Sequence, residues 1–173
     1  MPRTLRVFGL LLATAASTEG CKRRARPADT STAAAPVAAA ASPIRSITLE
    51  RTPCFGTCPV YTVTVQSDGA VRFEGTRNVS IAGVQRWRVP ADSVMTVLRY
   101  ADSIQFANLP DRYDFGVSGC SPYIADLPGF AITVETAGLA KRVYADGGCP
   151  NIPSGLKAMS DIIDRIARVP SAP

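Results

Sequence analysis

Between residues 60 and 75 the chain alternates with a period of two. Tyr61, Val63 and Val65 fall on one side and Thr62, Thr64 and Gln66 on the other; Asp68-Gly69 intervenes, and Val71 and Phe73 resume the alternation. Strand side chains point to opposite faces in turn, so this pattern demands a sheet with one buried and one wetted face. Asp and Gly tolerate the positive φ angles of a two-residue turn, which predicts that the two strands form a hairpin. The apolar face of such a sheet needs a cover.

The rest of the domain supplies it. Ile47 and Leu49 begin a preceding strand, and Val79 to Val89, with Trp87 between Arg86 and Arg88, reads as a more exposed third arm ending at Pro90. Beyond Pro90 the period becomes helical: Val94, Val97, Leu98, Ala101 and Ile104 share a stripe that runs to about Phe106, and Asp92 sits where a carboxylate suits the helix dipole. After a long loop from Asn108 to Pro128, the strand of Phe130, Ile132 and Val134 pairs with Leu139 to Tyr144 around a turn near Gly138. A last helix from about Ser154 to Arg168 carries Leu156, Met159, Ile163 and Ile166, with Ile162 widening the stripe. The expected fold is α+β: a β-meander, helix, β-hairpin and helix, forming an antiparallel β-sheet with two helices packed on one face.

Ahead of this domain, residues 44–169, lie two segments of different character. Residues 1–20 run from Arg3 and Arg6 through an apolar stretch to small and polar residues, the order of an export signal, and the stretch is shorter than the roughly 20 residues of a membrane span. Gly20 before Cys21 resembles a lipoprotein processing box, with Thr18 where Leu is usual. Lipidation of Cys21 would anchor the chain in a membrane, and the absence of Asp after that cysteine points to the outer membrane. Cleavage after Ala15 would instead give a soluble periplasmic or secreted protein. Residues 21–43, rich in Ala, Pro, Ser and Thr, read as a disordered tether.

Charge follows the same division. The chain carries +5, but from Ile44 onward 13 basic and 12 acidic side chains leave the domain at +1. No basic face remains that would imply a nucleic-acid partner. The cluster of Lys22, Arg23, Arg24 and Arg26 belongs to the tether, where it can rest on anionic head groups.

The domain keeps four cysteines: Cys54, Cys58, Cys120 and Cys149. In an exported chain these are first a disulfide framework, and four cysteines allow three pairings. A Cys120–Cys149 bond would tie the long loop to the sheet and contribute roughly 3.6 kcal/mol by loop closure, whereas a Cys54–Cys58 bond would contribute about 2 kcal/mol and mainly shape a turn. The Cys54-Phe55-Gly56-Thr57-Cys58-Pro59 stretch also has the CxxxCP spacing of the copper-binding Sco-type assembly factors. Those factors add a histidine, and this chain has none. Thiolates alone remain a soft Cu(I) donor set, and all four could hold zinc if kept reduced.

Glu50-Arg51-Thr52-Pro53-Cys54-Phe55-Gly56-Thr57-Cys58-Pro59-Val60-Tyr61, followed by Asp68-Gly69 and by Phe73 and Gly75, resembles a family of bacterial envelope domains of unknown function. The resemblance is specific over residues 47–75. Tyr113, residues 126–128 and Gly148-Cys149 fit the family's layout further along. It implies a secreted or lipoprotein context and no activity.

Lack of histidine excludes Ser-His-Asp and Cys-His catalysis. Asp111, Asp114, Asp126 and Asp146 flank the cysteine loop without calcium-loop spacing. Two expectations compete. The first is a noncatalytic, envelope-tethered binding or structural module without cofactor or resident metal, held by a lipid on Cys21, with Trp87, Arg86 and Arg88 as a candidate recognition spot. The second is a thiol-based redox or copper-handling protein working through Cys54 and Cys58.

Overall fold

A computed structural model of the chain describes residues 44–117 and 119–170. The export signal and tether expected in residues 1–43, Cys21 among them, lie outside the described residues. Seven strands and two helices follow the order β1 (Ile44–Arg51), β2 (Val60–Gln66), β3 (Ala70–Arg77), β4 (Gly83–Arg88), α1 (Ala91–Ser103), β5 (Arg112–Tyr113), β6 (Phe130–Thr136), β7 (Ala140–Ala145) and α2 (Ser154–Ala167). The strands form one sheet in the order β4-β3-β2-β1-β6-β7-β5. The fold is α+β, as the alternation predicts.

The alternation places Leu49, Val63, Phe73, Ile132 and Val143 on one face, all fully buried. Val94, Val97 and Leu98 of α1 and Leu156, Met159 and Ile163 of α2 complete that core. The opposite face is polar. Across its middle the register sets Arg86, Arg72, Thr64, Thr48, Thr133 and Arg142 in one row, with the Thr48 and Thr64 hydroxyls hydrogen-bonded at 3.0 Å. Among the described residues no helix is long and apolar enough to cross a membrane.

Four details depart from the sequence expectation. The β2–β3 loop spans three residues, Ser67 to Gly69, and only Gly69 has positive φ, so a turn with a left-handed glycine replaces the two-residue form. Gly69 is required there, because a Cβ would collide with the Val89 carbonyl. β4 begins at Gly83 rather than Val79: Asn78 adopts φ 53° and Gly83 φ 82°, which swings the intervening residues out of the ladder. α1 stops at Ser103 because Gln105 turns left-handed, and Phe106 to Asn108 form a separate 3-10 turn. Finally, the loop after it contains β5, which pairs parallel with β7 through Arg112–Tyr144 and Tyr113–Ala145. The sheet is therefore mostly, not wholly, antiparallel. Two residues are too few to show a period, which is why β5 is invisible in the sequence.

Phe73 sits at the middle of this core, fully buried, with Tyr61 at 5.3 Å and Trp87 at 6.1 Å between ring centroids. Phe73→Ala is expected to lower the unfolding free energy by about 3–5 kcal/mol, read from urea denaturation.

Candidate functional site

Three connections meet at one end of the sheet: the β1–β2 loop, the segment leading into β6, and the β7–α2 link. Cys54 and Cys58 pair within the first, their Cα atoms 5.7 Å apart. Cys120 and Cys149 pair across the other two, with Cα atoms 4.7 Å apart. The pairing is thus local in one case and long-range in the other, and the four sulfurs are not gathered into a single site. Among the described residues, no group of three or more His, Cys, Asp or Glu side chains converges as metal ligands do.

Main-chain hydrogen bonds lace the loops together. Thr52 N–H donates to the Gly129 carbonyl at 3.0 Å, and Gly129 N–H returns a bond to Thr52 Oγ1 at 3.0 Å. Phe55 N–H donates to the Asp126 carbonyl at 3.1 Å and Ile124 N–H to that of Gly148 at 3.0 Å. Asp146 accepts from Gly148 N–H at 2.8 Å and from the Tyr123 hydroxyl at 2.9 Å. Asn78 Nδ2 reaches the Cys58 carbonyl at 3.1 Å, bracing the disulfide loop from the β3–β4 turn.

This bracing holds apolar side chains out in solvent. Phe55 is 90% exposed, Phe115 75%, Ile124 60% and Leu127 40%. Beside them a cleft of about 380 Å³ is lined by Cys54, Phe55, Tyr123, Asp126, Tyr144 and Asp146. The hydrogen bond to Asp146 raises the Tyr123 hydroxyl above its ordinary pKa, and burial does the same for Tyr144, followed by the charges of Asp146 and Asp114. Arg112 stacks 5.7 Å from the Tyr144 ring centre and pairs with Asp114. Lys141 pairs with Asp111. Of the four flanking aspartates, only Asp126 and Asp146 line the cleft.

Next to Cys58 a smaller hollow of about 270 Å³ opens over Arg51, Tyr61 and Asp164. Arg51 Nη2 lies 2.6 Å from Asp164 Oδ2 and 3.3 Å from Asp161 Oδ1, and the Tyr61 hydroxyl donates to Asp164 Oδ1 at 2.7 Å. Burial works most strongly against the Arg51 charge, but Asp164 and then Tyr61 together outweigh it and the guanidinium pKa is raised. These contacts clamp α2 to β1 and β2. Arg51 and Tyr61 belong to the stretch singled out in the sequence, but their partner is 103 residues from Tyr61 and no local pattern points to it.

The Trp87, Arg86 and Arg88 spot is divided by the sheet. Trp87 turns toward the helices, rests on Phe73 and donates from Nε1 to the Ala167 carbonyl at 2.8 Å. Arg86 and Arg88 lie on the opposite, open face, where Arg88 bonds the Asp68 carbonyl and carboxylate at 2.8 and 3.1 Å. Trp87 is packing, and the two arginines are surface.

The profile of a domain family of unknown function matches residues 45–167, which is nearly all of the folded region. The chain belongs to the DUF6438 family. In this DUF6438 domain the match takes in both cysteine pairs, the loop end and the α2 clamp. No curated protein matches the chain.

Burial, followed by the hydrogen bond to Asp164, holds the Tyr61 phenol protonated well above the ordinary tyrosine value of 10.0. A raised folded-state pKa contributes stability that is complete below the unfolded value and is lost as pH rises from there toward the folded one. Stability is therefore expected to fall as pH rises above about 10, and Tyr61→Phe to make that fall shallower, as followed by urea midpoints.

Proposed function

We propose that the protein is a noncatalytic binding module of the bacterial envelope, which uses the braced loop end as its recognition surface. One observation carries this reading: two cysteine pairs and a lattice of main-chain hydrogen bonds brace a loop end on which Phe55, Phe115, Ile124 and Leu127 are exposed, with Phe55 and Leu127 lining a cleft and Phe115 against its Tyr123. A small domain gains by burying such groups, and a cluster kept rigidly in water fits a surface that is covered by a partner. The chain has no histidine, which leaves out the His-based catalytic sets. Delivery rests on the order of residues 1–20, on Cys21 as a lipid acceptor and on the residue 21–43 tether; the paired cysteines fit an oxidising compartment.

The test joins the two halves of the proposal. A photo-crosslinking residue at position 55 in cells should trap a partner, whereas one at Arg99 on α1 should not, and Ile124→Ser should lower the yield several-fold at unchanged melting temperature. Cys21→Ala should release the protein from the membrane fraction. Equal trapping at both positions would count against the loop end, and unchanged partition against the lipid anchor.

One observation favours a second reading, thiol redox or copper handling. Cys54 and Cys58 are half-exposed in a short loop, while Cys120 and Cys149 are buried, so a reductant or a soft metal reaches the first pair more readily. Intact mass of envelope-purified protein under graded reductant, with metal analysis, separates the readings. The binding module keeps both pairs oxidised and carries no metal; a redox or copper protein shows Cys54 and Cys58 reduced first under mild conditions, or bound copper.

A further inference from the structure

One edge of the sheet is open. β4 is the outermost strand on its side, every residue of it except Trp87 is exposed, and among the described residues no strand runs along its outer flank. The outward N–H and C=O groups of such a strand are a template for one more strand.

The open face beside this edge carries three arginines against two carboxylates. Arg72 stands directly across from Arg86, and Arg88 across from Ala70. Like charges directly opposed across a ladder work against folding. Glu74 meets Arg72 at 2.7 Å and Asp68 meets Arg88 at 3.1 Å, whereas Arg86 has no carboxylate at ion-pair distance among the described residues. Ala70 and Thr64 are small, and between the arginines they leave a hollow of about 420 Å³. The edge is also fixed in place, because Trp87 is bonded to the last turn of α2 and stacked near Phe73. A preformed edge loses little freedom on binding.

We propose that β4 is a docking edge for an extended polypeptide segment with carboxylates at alternate positions. A strand added to β4 directs every second side chain onto the open face, where Arg86 supplies the opposite charge and Arg72 and Arg88, each already holding one carboxylate, flank it. The open backbone calls for a polypeptide and the arginines call for an acidic one. A second copy of this chain fits poorly, since pairing β4 with β4 brings Arg86 and Arg88 against their own equivalents. The chain's own residues 22–26 are basic and carry the wrong sign. This site is separate from the loop end and stands or falls independently of it.

The experiment titrates the full chain, at low salt, into two labelled hexapeptides of equal charge: one alternates glutamate with threonine, the other glutamate with proline. Proline cannot donate a ladder hydrogen bond. The threonine peptide is expected to bind at least about tenfold more tightly than the proline peptide. Arg86→Glu and Arg72→Glu should each weaken it by about tenfold, with unchanged circular dichroism and melting. Amide exchange within β4 should slow in the complex. Equal affinity for the two peptides with unchanged β4 exchange would mean an electrostatic patch alone and would overturn the proposal. So would no binding to either peptide, or a peptide-free dimer in which the β4 amides are already protected.

Discussion

The whole domain depends on one constraint, that the sheet is apolar on one face only. In β2 and β3 every second residue is buried, and β1 and β6 add Ile47, Leu49, Ile132 and Val134 to the same side. Two amphipathic helices are the simplest way to shut that side from water, and among the described residues no buried side-chain nitrogen or oxygen is left without a partner: the buried Ser160 hydroxyl donates back to the Lys157 carbonyl at 2.8 Å. Because the helices occupy one face, the other stays wetted, and its row of threonines and arginines follows from the register rather than from any separate design. The two candidate surfaces inherit this sidedness. The loop end lies where the connections gather, and the basic edge lies where the open face runs out.

Much of this was legible in the sequence because a period of two or 3.6 is a property of the neighbouring residues themselves. The β2–β3 hairpin, the β6–β7 hairpin and α2 all appear close to where the pattern puts them. What escaped depends on contacts made at a distance. β5 is placed by its pairing to β7 and by Tyr113 packing against the core. The start of β4 is set by the left-handed turn at Asn78, whose side chain reaches the Cys58 carbonyl. Trp87 reads from the sequence either as a recognition spot or as strand packing; a strand sends neighbours to opposite faces, and the indole finds its acceptor 80 residues away.

The candidate site shows the same division. The cysteines and the sequence around them mark the loop end clearly. The display of Phe55 was in principle readable too, since a residue inside a five-residue disulfide loop has little chance to fold back beneath it. The role of the segment before β6 was not readable, because Ile124 and Leu127 are apolar residues that a loop would ordinarily bury. They stay outside because the Gly148 and Asp126 carbonyls are taken up by main-chain bonds that fix the course of the loops. The Arg51, Tyr61 and Asp164 clamp lies just beneath, so the rigidity of the loop end and the docking of α2 are set by adjoining residues.

Trp87 is the chain's single tryptophan, and its indole N–H is tied to the Ala167 carbonyl at the end of α2. Its near-ultraviolet absorption and emission therefore report on the seam between the last helix and the outer hairpin. Fraying of α2 from its C-terminal end would let water reach the ring and redden the emission while most of the sheet remained intact. The tryptophan emission of this domain belongs to that seam, and a transition followed by it alone would describe the seam before it described the fold as a whole.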